Sequence, residues 1–371
     1  MNFRIRQSLG FLVGLVSLMT GVAFASHGED AGACERSAKD MARSCRFESA
    51  EEFNATWANC RQLATRNERI ACKQMARAER LEAFSDCGGQ FEARGDVCEL
   101  LDENRYSDPL TDPAISFIDP DDIGEGGLSN NPYVILQAGH THVLKSEDEI
   151  VVVHATGETR DILGVSCRVV VDIVVEEEYD DEETEWDYAP IEITDDWFAQ
   201  DAYSNVYYCG EIARNFEDGV LRDLDGSFEA GVNFAKGGLL TLALPAVGEV
   251  HRQEYSLGEA EDIVEYIALA ASPEAVEGGE NPAFPCAGTC LETYDSAALE
   301  PDASEFKYYL PGVGFVLAVG LEDGEITGER EELVCTGDSL DILADDDCGI
   351  EDPEELLEDL CELHSAFCED D

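Results

Sequence analysis

Six cysteines near the start of the chain, Cys34, Cys45, Cys60, Cys72, Cys87 and Cys98, are separated by 11, 15, 12, 15 and 11 residues, the same series read in either direction. Bridges among them constrain which parts of this stretch can lie side by side, and six cysteines allow about fifteen pairings. Residues 30–104 lack proline and are rich in Ala, Arg, Glu, Leu and Met, a helix-forming composition. Ser49-Ala-Glu-Glu52 matches a capping box, which places a helix start there. Turns near Arg46–Ser49, Thr65–Asn67 and Asp86–Gly89 then give a bundle of four antiparallel helices. That arrangement expects Cys34–Cys60, Cys72–Cys98 and Cys45–Cys87. Such staples suit a small helical unit whose own core is marginal.

Disulfides require an oxidising compartment, and the N-terminus agrees. Arg4 and Arg6 precede an apolar run from Leu9 to Phe24, and Ala23-Phe24-Ala25 supplies a small-x-small cleavage pattern. The run of about sixteen residues is shorter than the roughly twenty of a spanning helix. Residues 1–25 are therefore expected to be a signal peptide cleaved near Ala25, leaving a periplasmic or secreted chain without membrane insertion. All fourteen cysteines are read as disulfide partners, including the close pair Cys286 and Cys290.

The formal net charge is -59. Residues 26–106 hold sixteen acids and twelve bases, whereas residues 107–371 hold sixty-six acids and nine bases. A surface of that sign repels nucleic acid and anionic headgroups and attracts cations or basic partners. The same composition suits a solvated surface in high salt, where self-repulsion is screened.

Past residue 104 the pattern changes twice. Residues 105–130, with Asp108-Pro109, Asp112-Pro113 and Asp119-Pro120, form a linker that ends the helical part. From 131 to 334 short runs rich in Val, Ile, Tyr and Phe recur between turns. Thr141 to Lys145, Ile150 to His154, Cys167 to Glu176, Asn205 to Ile212 and Gly314 to Leu321 are examples, and Asp218-Gly219 is a hairpin turn. An antiparallel β-domain is expected, as a half-barrel, barrel or sandwich. One helix over Gly258 to Ala271 packs on it in this reading, and the acidic stretch Glu176–Asp187 is a solvated loop. The tail, 335–371, has four cysteines, fifteen acids and no base. Asp352 caps a helix there with Pro353 at its first position, and Leu356, Leu360, Leu363 and Phe367 share one face. The fold class is thus α+β: a disulfide-stapled helical bundle at 26–104, an antiparallel β-domain, and an acidic C-terminal helix.

Several stretches resemble those of a family of exported bacterial proteins without an established activity. They are Phe91-Glu-Ala-Arg94 with Cys87 and Cys98, Asn131-Pro-Tyr133, Asp196-Trp197-Phe-Ala-Gln-Asp201, Ser227-Phe-Glu-Ala-Gly231, Arg252-Gln-Glu-Tyr255 with Gly258-Glu-Ala-Glu-Asp262, and Glu305-Phe-Lys-Tyr-Tyr309 with Pro311-Gly-Val-Gly314. The resemblance spans about residues 87 to 334. It implies compartment and fold, and it assigns no catalytic residue.

Catalytic motifs are missing: the chain has no GxSxG, HExxH, Walker A loop or strand-borne GxGxxG. That points away from an enzyme and toward a non-catalytic binding or structural module. The candidate ligand residues are Trp197, Gln200, Asp201, Arg252, Glu254 and Tyr255, which combine aromatic and polar groups as a small-molecule or peptide pocket does. A hydrolase using carboxylates that the sequence does not single out is one alternative. The other is a metal-binding protein. His140 and His142 share a strand face, and a connection centred on Glu147 would add His154 as a third ligand for Zn or Cu, whereas a two-residue turn at Glu147-Asp148 puts His154 opposite Thr141. Asp223-Leu-Asp225-Gly226 lacks the downstream glutamate of a calcium loop and reads as a turn, which leaves only weak association of Ca with the acidic loops.

Overall fold

The computed structural model describes residues 32–124, 130–146, 149–180, 185–217, 219–273, 283–322 and 324–368. The expected signal peptide lies outside them. No helix among the described residues is long and apolar enough to cross a membrane.

The N-terminal part is one antiparallel hairpin of two long helices, α1 (Ala33–Cys60) and α2 (Arg66–Leu100). The expected four helices are replaced because nothing breaks the chain at 46–49 or 86–89. Ser49 is buried inside α1, and Gly88 and Gly89 are carried within α2. The capping box that does form is Thr65 with Glu68, at the start of α2. The bridges are Cys34–Cys98, Cys45–Cys87 and Cys60–Cys72. Cys45–Cys87 agrees with the sequence reading, while Cys34–Cys60 and Cys72–Cys98 are corrected. In a hairpin, residues equidistant from the turn face each other, so the palindrome lays out one ladder of nested bridges. Eleven and fifteen residues are close to three and four turns at about 3.6 residues each, which keeps every rung on the facing side.

The rest of the chain is dominated by one antiparallel sheet. Its strands are β1 (Thr141–Lys145), β2 (Glu149–Ile162), β3 (Val165–Asp180), β4 (Glu185–Gln200), β5 (Val206–Glu217), β6 (Val220–Asp223), β7 (Phe228–Glu229), β8 (Gly238–Thr241), β9 (Val250–Arg252), β10 (Asp262–Ala271), β11 (Cys290–Ala297), β12 (Ala303–Leu310), β13 (Gly314–Glu322) and β14 (Glu325–Gly337). Their order is β6-β5-β4-β3-β2-β1-β14-β13-β12-β11-β10-β9, with β7 and β8 also paired to β5. All but one step in this order join chain neighbours, and β1 beside β14 seals the two halves. The far ends approach each other through β8. Lys236 and Tyr255 form a backbone bridge, and Gln253 Nε2 donates to Leu240 O at 3.2 Å. Gly238 makes the approach possible, because a Cβ there would lie 1.8 Å from Gln253 O.

Two expectations give way here. Gly258 to Ala271 contains β10 instead of a helix, since Val264, Tyr266 and Ile263 complete a ladder between β9 and β11. The acidic stretch at 176–187 is drawn into β3 and β4 up to Asp180 and from Glu185, paired as Glu177 with Tyr188 and Tyr179 with Trp186. Its alternating tyrosine and tryptophan extend the strands that Val171, Ile173 and Val175 anchor.

One sheet face packs under the C-terminal segment. Val143, Ile150, Val152, Val171, Ile173, Val175 and Ile193 meet Leu343, Leu356, Leu360 and Phe367 in one cluster. Leu356 and Leu360 come from α3 (Pro353–Leu363), where Asp352 Oδ1 accepts from Glu355 N at 3.2 Å. Cys335–Cys348 and Cys361–Cys368 tie this segment down, and His364 Nε2 reaches Asp195 Oδ1 at 2.9 Å. Cys167–Cys209 and Cys286–Cys290 complete seven disulfides, which indicate an oxidising, extracytoplasmic environment. The stretch after α2 also packs, with Leu110 and Ile123 buried against the strands.

Candidate functional site: an acid-lined interior

Because successive strand residues point to opposite faces, the face away from α3 carries every second side chain. On β3 these are Arg168, Val170, Asp172 and Val174, and on β4 Glu192, Thr194, Asp196 and Phe198. Cross-strand register adds Tyr208 and Glu211 on β5, Asp262, Val264 and Tyr266 on β10, Thr293 and Asp295 on β11, Glu305, Lys307 and Tyr309 on β12, and Glu331 on β14. Charges on strands far apart in the sheet sense one another across this face, Asp172 with Lys307 and Glu211 with Asp262. That convergence makes it the inside of the curl.

The inside is acidic, with Asp196, Asp295 and Glu331 buried and Asp172, Glu211, Asp262 and Lys307 partly buried. Burial pushes Glu331 up to about 8, with Asp172 adding to the effect, and burial also takes Glu211 to about 8 and Asp262 to about 6. Asp172, Asp196 and Glu254 are likewise raised well above the ordinary carboxylate range by burial, then by neighbouring carboxylates. Among the described residues two cations oppose them. Burial disfavours the ammonium of Lys307, but Glu305 Oε1 at 2.9 Å and Asp295 Oδ2 at 3.6 Å more than offset this and hold its proton. Arg168, almost fully buried, closes one end by donating from Nη2 to Asp121 Oδ1 at 3.2 Å.

Some of the acids have neutral partners. Tyr208 Oη lies between Asp196 and Glu211 Oε2, 2.9 Å from the latter, with its one proton to give to either, and Thr293 donates to Asp295. Tyr266 accepts from Leu242 N at 2.8 Å and meets His251 Nε2 at 3.1 Å. Two others each keep one oxygen without a hydrogen-bond partner, Asp172 Oδ1 and Glu331 Oε2, both buried, and Glu331 is only 6% exposed. Buried carboxylates in that condition must hold a proton or face a cation.

No family model matches the chain. Neither a curated protein nor a solved structure does.

The residues singled out from sequence do not form one site. Trp197 lies on the outer face beside the Cys167–Cys209 bridge, with the Arg160 guanidinium 4.0 Å from its ring centroid. Gln200 is fully buried and accepts from Asn131 N at 3.0 Å. Asp201 takes Tyr203 N, Asn205 N, Asn205 Nδ2 and Tyr207 Oη, the work of a satisfied turn. Glu254 belongs to the acidic interior. Arg252 and Tyr255 line a separate cleft against the helical hairpin.

His154 pairs opposite Thr141, and its Nδ1 meets Thr141 Oγ1 at 2.9 Å. It therefore turns away from His140 and His142, whose Nε2 atoms are 3.2 Å apart. This corrects the three-histidine convergence, which depended on the connection at Glu147; residues 147 and 148 lie outside the described residues. Among the described residues no three His, Cys, Asp or Glu side chains group to hold one metal ion. The interior escaped sequence reading because its acids come one or two per strand, each an ordinary polar position in an alternating pattern. Pairs such as Glu305 and Lys307, two apart on one strand, were the only local trace.

Proposed function

We propose that this chain is an exported, non-catalytic binding module of the cell envelope or extracellular space, freed of its signal peptide near Ala25, whose sheet forms a barrel and takes an extended organic cation inside. One observation carries the reading: carboxylates from β3, β4, β5, β10, β11, β12 and β14 converge on one face while Asp172 and Glu331 keep unsatisfied oxygens there. The acids are spread along the wall and not gathered around a point, which favours several separated positive charges over a single metal ion. Tyr208, Tyr266 and Tyr309 supply aromatic and hydroxyl surface between them, as ligand pockets commonly do.

Spermine is the probe. Calorimetric titration of the oxidised protein is expected to give saturable binding that is stronger at pH 9 than at pH 6, because raised carboxylates release protons as the amines enter. Asp172→Asn combined with Glu331→Gln should weaken it by about tenfold or more, on the scale of one or two charge-assisted contacts. Binding equal in the double variant would assign the heat to the acidic exterior and reject the interior site. Saturable Ca²⁺ or Zn²⁺ binding at the interior with no spermine binding would also reject it.

A further inference from the structure

The second candidate lies where the hairpin meets the sheet. A cleft of about 250 Å³ opens between the two, lined by Arg94 of α2, Glu103 and Tyr106 of the stretch that follows, and Lys236, Arg252, Tyr255 and Glu261 from the sheet side. In a chain with nine bases after residue 106, the meeting of Arg94, Lys236 and Arg252 at one cavity is a local reversal of charge. Exposed Arg105 stands at the same cleft.

The carboxylates present do not cancel these cations. Arg94 is clamped by Glu261 through Nε at 2.8 and 3.0 Å and Nη2 at 2.6 Å, yet Nη1 has no partner although Arg94 is 5% exposed. Arg252 Nε donates to Glu103 Oε2 at 2.9 Å. Lys236 Nζ donates to a carbonyl, Tyr106 O at 2.6 Å, lies 4.8 Å from the Tyr255 ring centroid, and has Asp108 as its carboxylate neighbour. Tyr106 and Tyr255 stack at 4.9 Å and hold the cationic groups in place from one side. Two carboxylates against four cations among the lining residues, with Asp108 near Lys236 as a third carboxylate, leave the cavity positive by one charge.

We infer that this cleft is a binding site for a small organic di- or tricarboxylate. Its cations stand on opposite walls, hairpin and sheet, so an anion with carboxylates at two ends spans them. The volume corresponds to about eight waters at roughly 30 Å³ each, more than one phosphate fills and enough for a short polycarboxylate. Guanidinium groups suit carboxylate recognition because their planar fork matches two oxygens.

Citrate tests it, by calorimetry on the oxidised full chain, with inorganic phosphate at equal ionic strength as the comparison. Citrate is expected to bind and phosphate to bind at least about tenfold more weakly. Lys236→Gln should weaken citrate by about tenfold. Glu261→Gln keeps an acceptor for Gly258 N, 2.7 Å away, while removing the charge that neutralises Arg94, and should tighten citrate. If Arg94 and Glu261 serve only to fasten the hairpin, citrate gives no heat or its affinity is unchanged by both substitutions, and either result overturns the site. Equal binding of phosphate would overturn the two-ended ligand. Should Glu261→Gln fail to fold, Lys236→Gln alone still decides, because Lys236 takes no part in that clamp.

Discussion

Replacing Glu331 by glutamine should make the protein more stable, and increasingly so as pH rises. Glu331 is 6% exposed, and one carboxylate oxygen has no partner. Burial lifts it from the ordinary 4.5 to about 8 in the folded state. Between those values the folded protein holds a proton that the unfolded chain has released, so folding stability contributed by this group is complete below pH 4.5 and is lost as pH rises through 8. At about 1.4 kcal/mol per pH unit, the loss approaches about 4 kcal/mol by pH 8. Glutamine keeps the shape and cannot ionise. Urea unfolding at pH 4.5, 6, 7 and 8 should therefore show wild type and Glu331→Gln nearly equal at the lowest pH and separated by about 2–4 kcal/mol at the highest, the lower figure allowing Asp172 to share the proton. A difference that is constant across the series, or that favours wild type at pH 8, would refute a buried, proton-holding carboxylate at this position. Spermine should narrow the gap at pH 8 by giving the ionised wild-type group a partner.

Two further outcomes follow from the packing. Leu356→Ala removes a fully buried side chain from beneath the sheet and should cost about 2–5 kcal/mol in denaturant unfolding, with α3 loosening first by hydrogen exchange. Non-reducing peptide mapping should recover Cys34–Cys98, Cys45–Cys87 and Cys60–Cys72. Cys60→Ser with Cys72→Ser, which opens a 12-residue separation at the hairpin tip, should cost about 3 kcal/mol by loop-closure entropy.

Local chemistry was readable wherever one residue decides a local event. Asp352 and Pro353 start α3, and the valines of β2 and β3 announce a strand on either side of their turn, while of the expected Asp218-Gly219 turn residue 218 lies outside the described residues. The helical part was read with correct composition and incorrect length. A capping-box match at Ser49 carries no weight when helix formers continue on both sides, and two glycines at 88 and 89 cost too little to end a helix held by disulfides on each side. Gly89 in fact sits where Pro301 comes within contact of a Cβ, at 3.2 Å, so its smallness serves packing. The Ala and Glu of residues 258–271 favour a helix, and tertiary pairing of β10 with β9 and β11 outweighs that preference. Long-range convergence was the least accessible. Asp172 and Glu331 stand on β3 and β14, separated in the sheet by β2 and β1, and no spacing in the chain relates them. His154 turned on a single residue of turn length, which reverses the face of everything after it.

The nested ladder of the hairpin has a consequence for how the molecule fails. Each bridge encloses the next, so a protease cutting at Gln62 to Ala64 releases no fragment, and both helices remain joined by three rungs. Partial reduction is equally forgiving, because any surviving rung fixes the alignment that the lost ones would re-form. At about 1.5 Å per residue, the 35 residues of α2 give a rod about 50 Å long whose two strands cannot slide past each other. Such a rod keeps its outline through damage that would separate an unlinked pair of helices, a durability that counts wherever a chain meets proteases outside the cytoplasm.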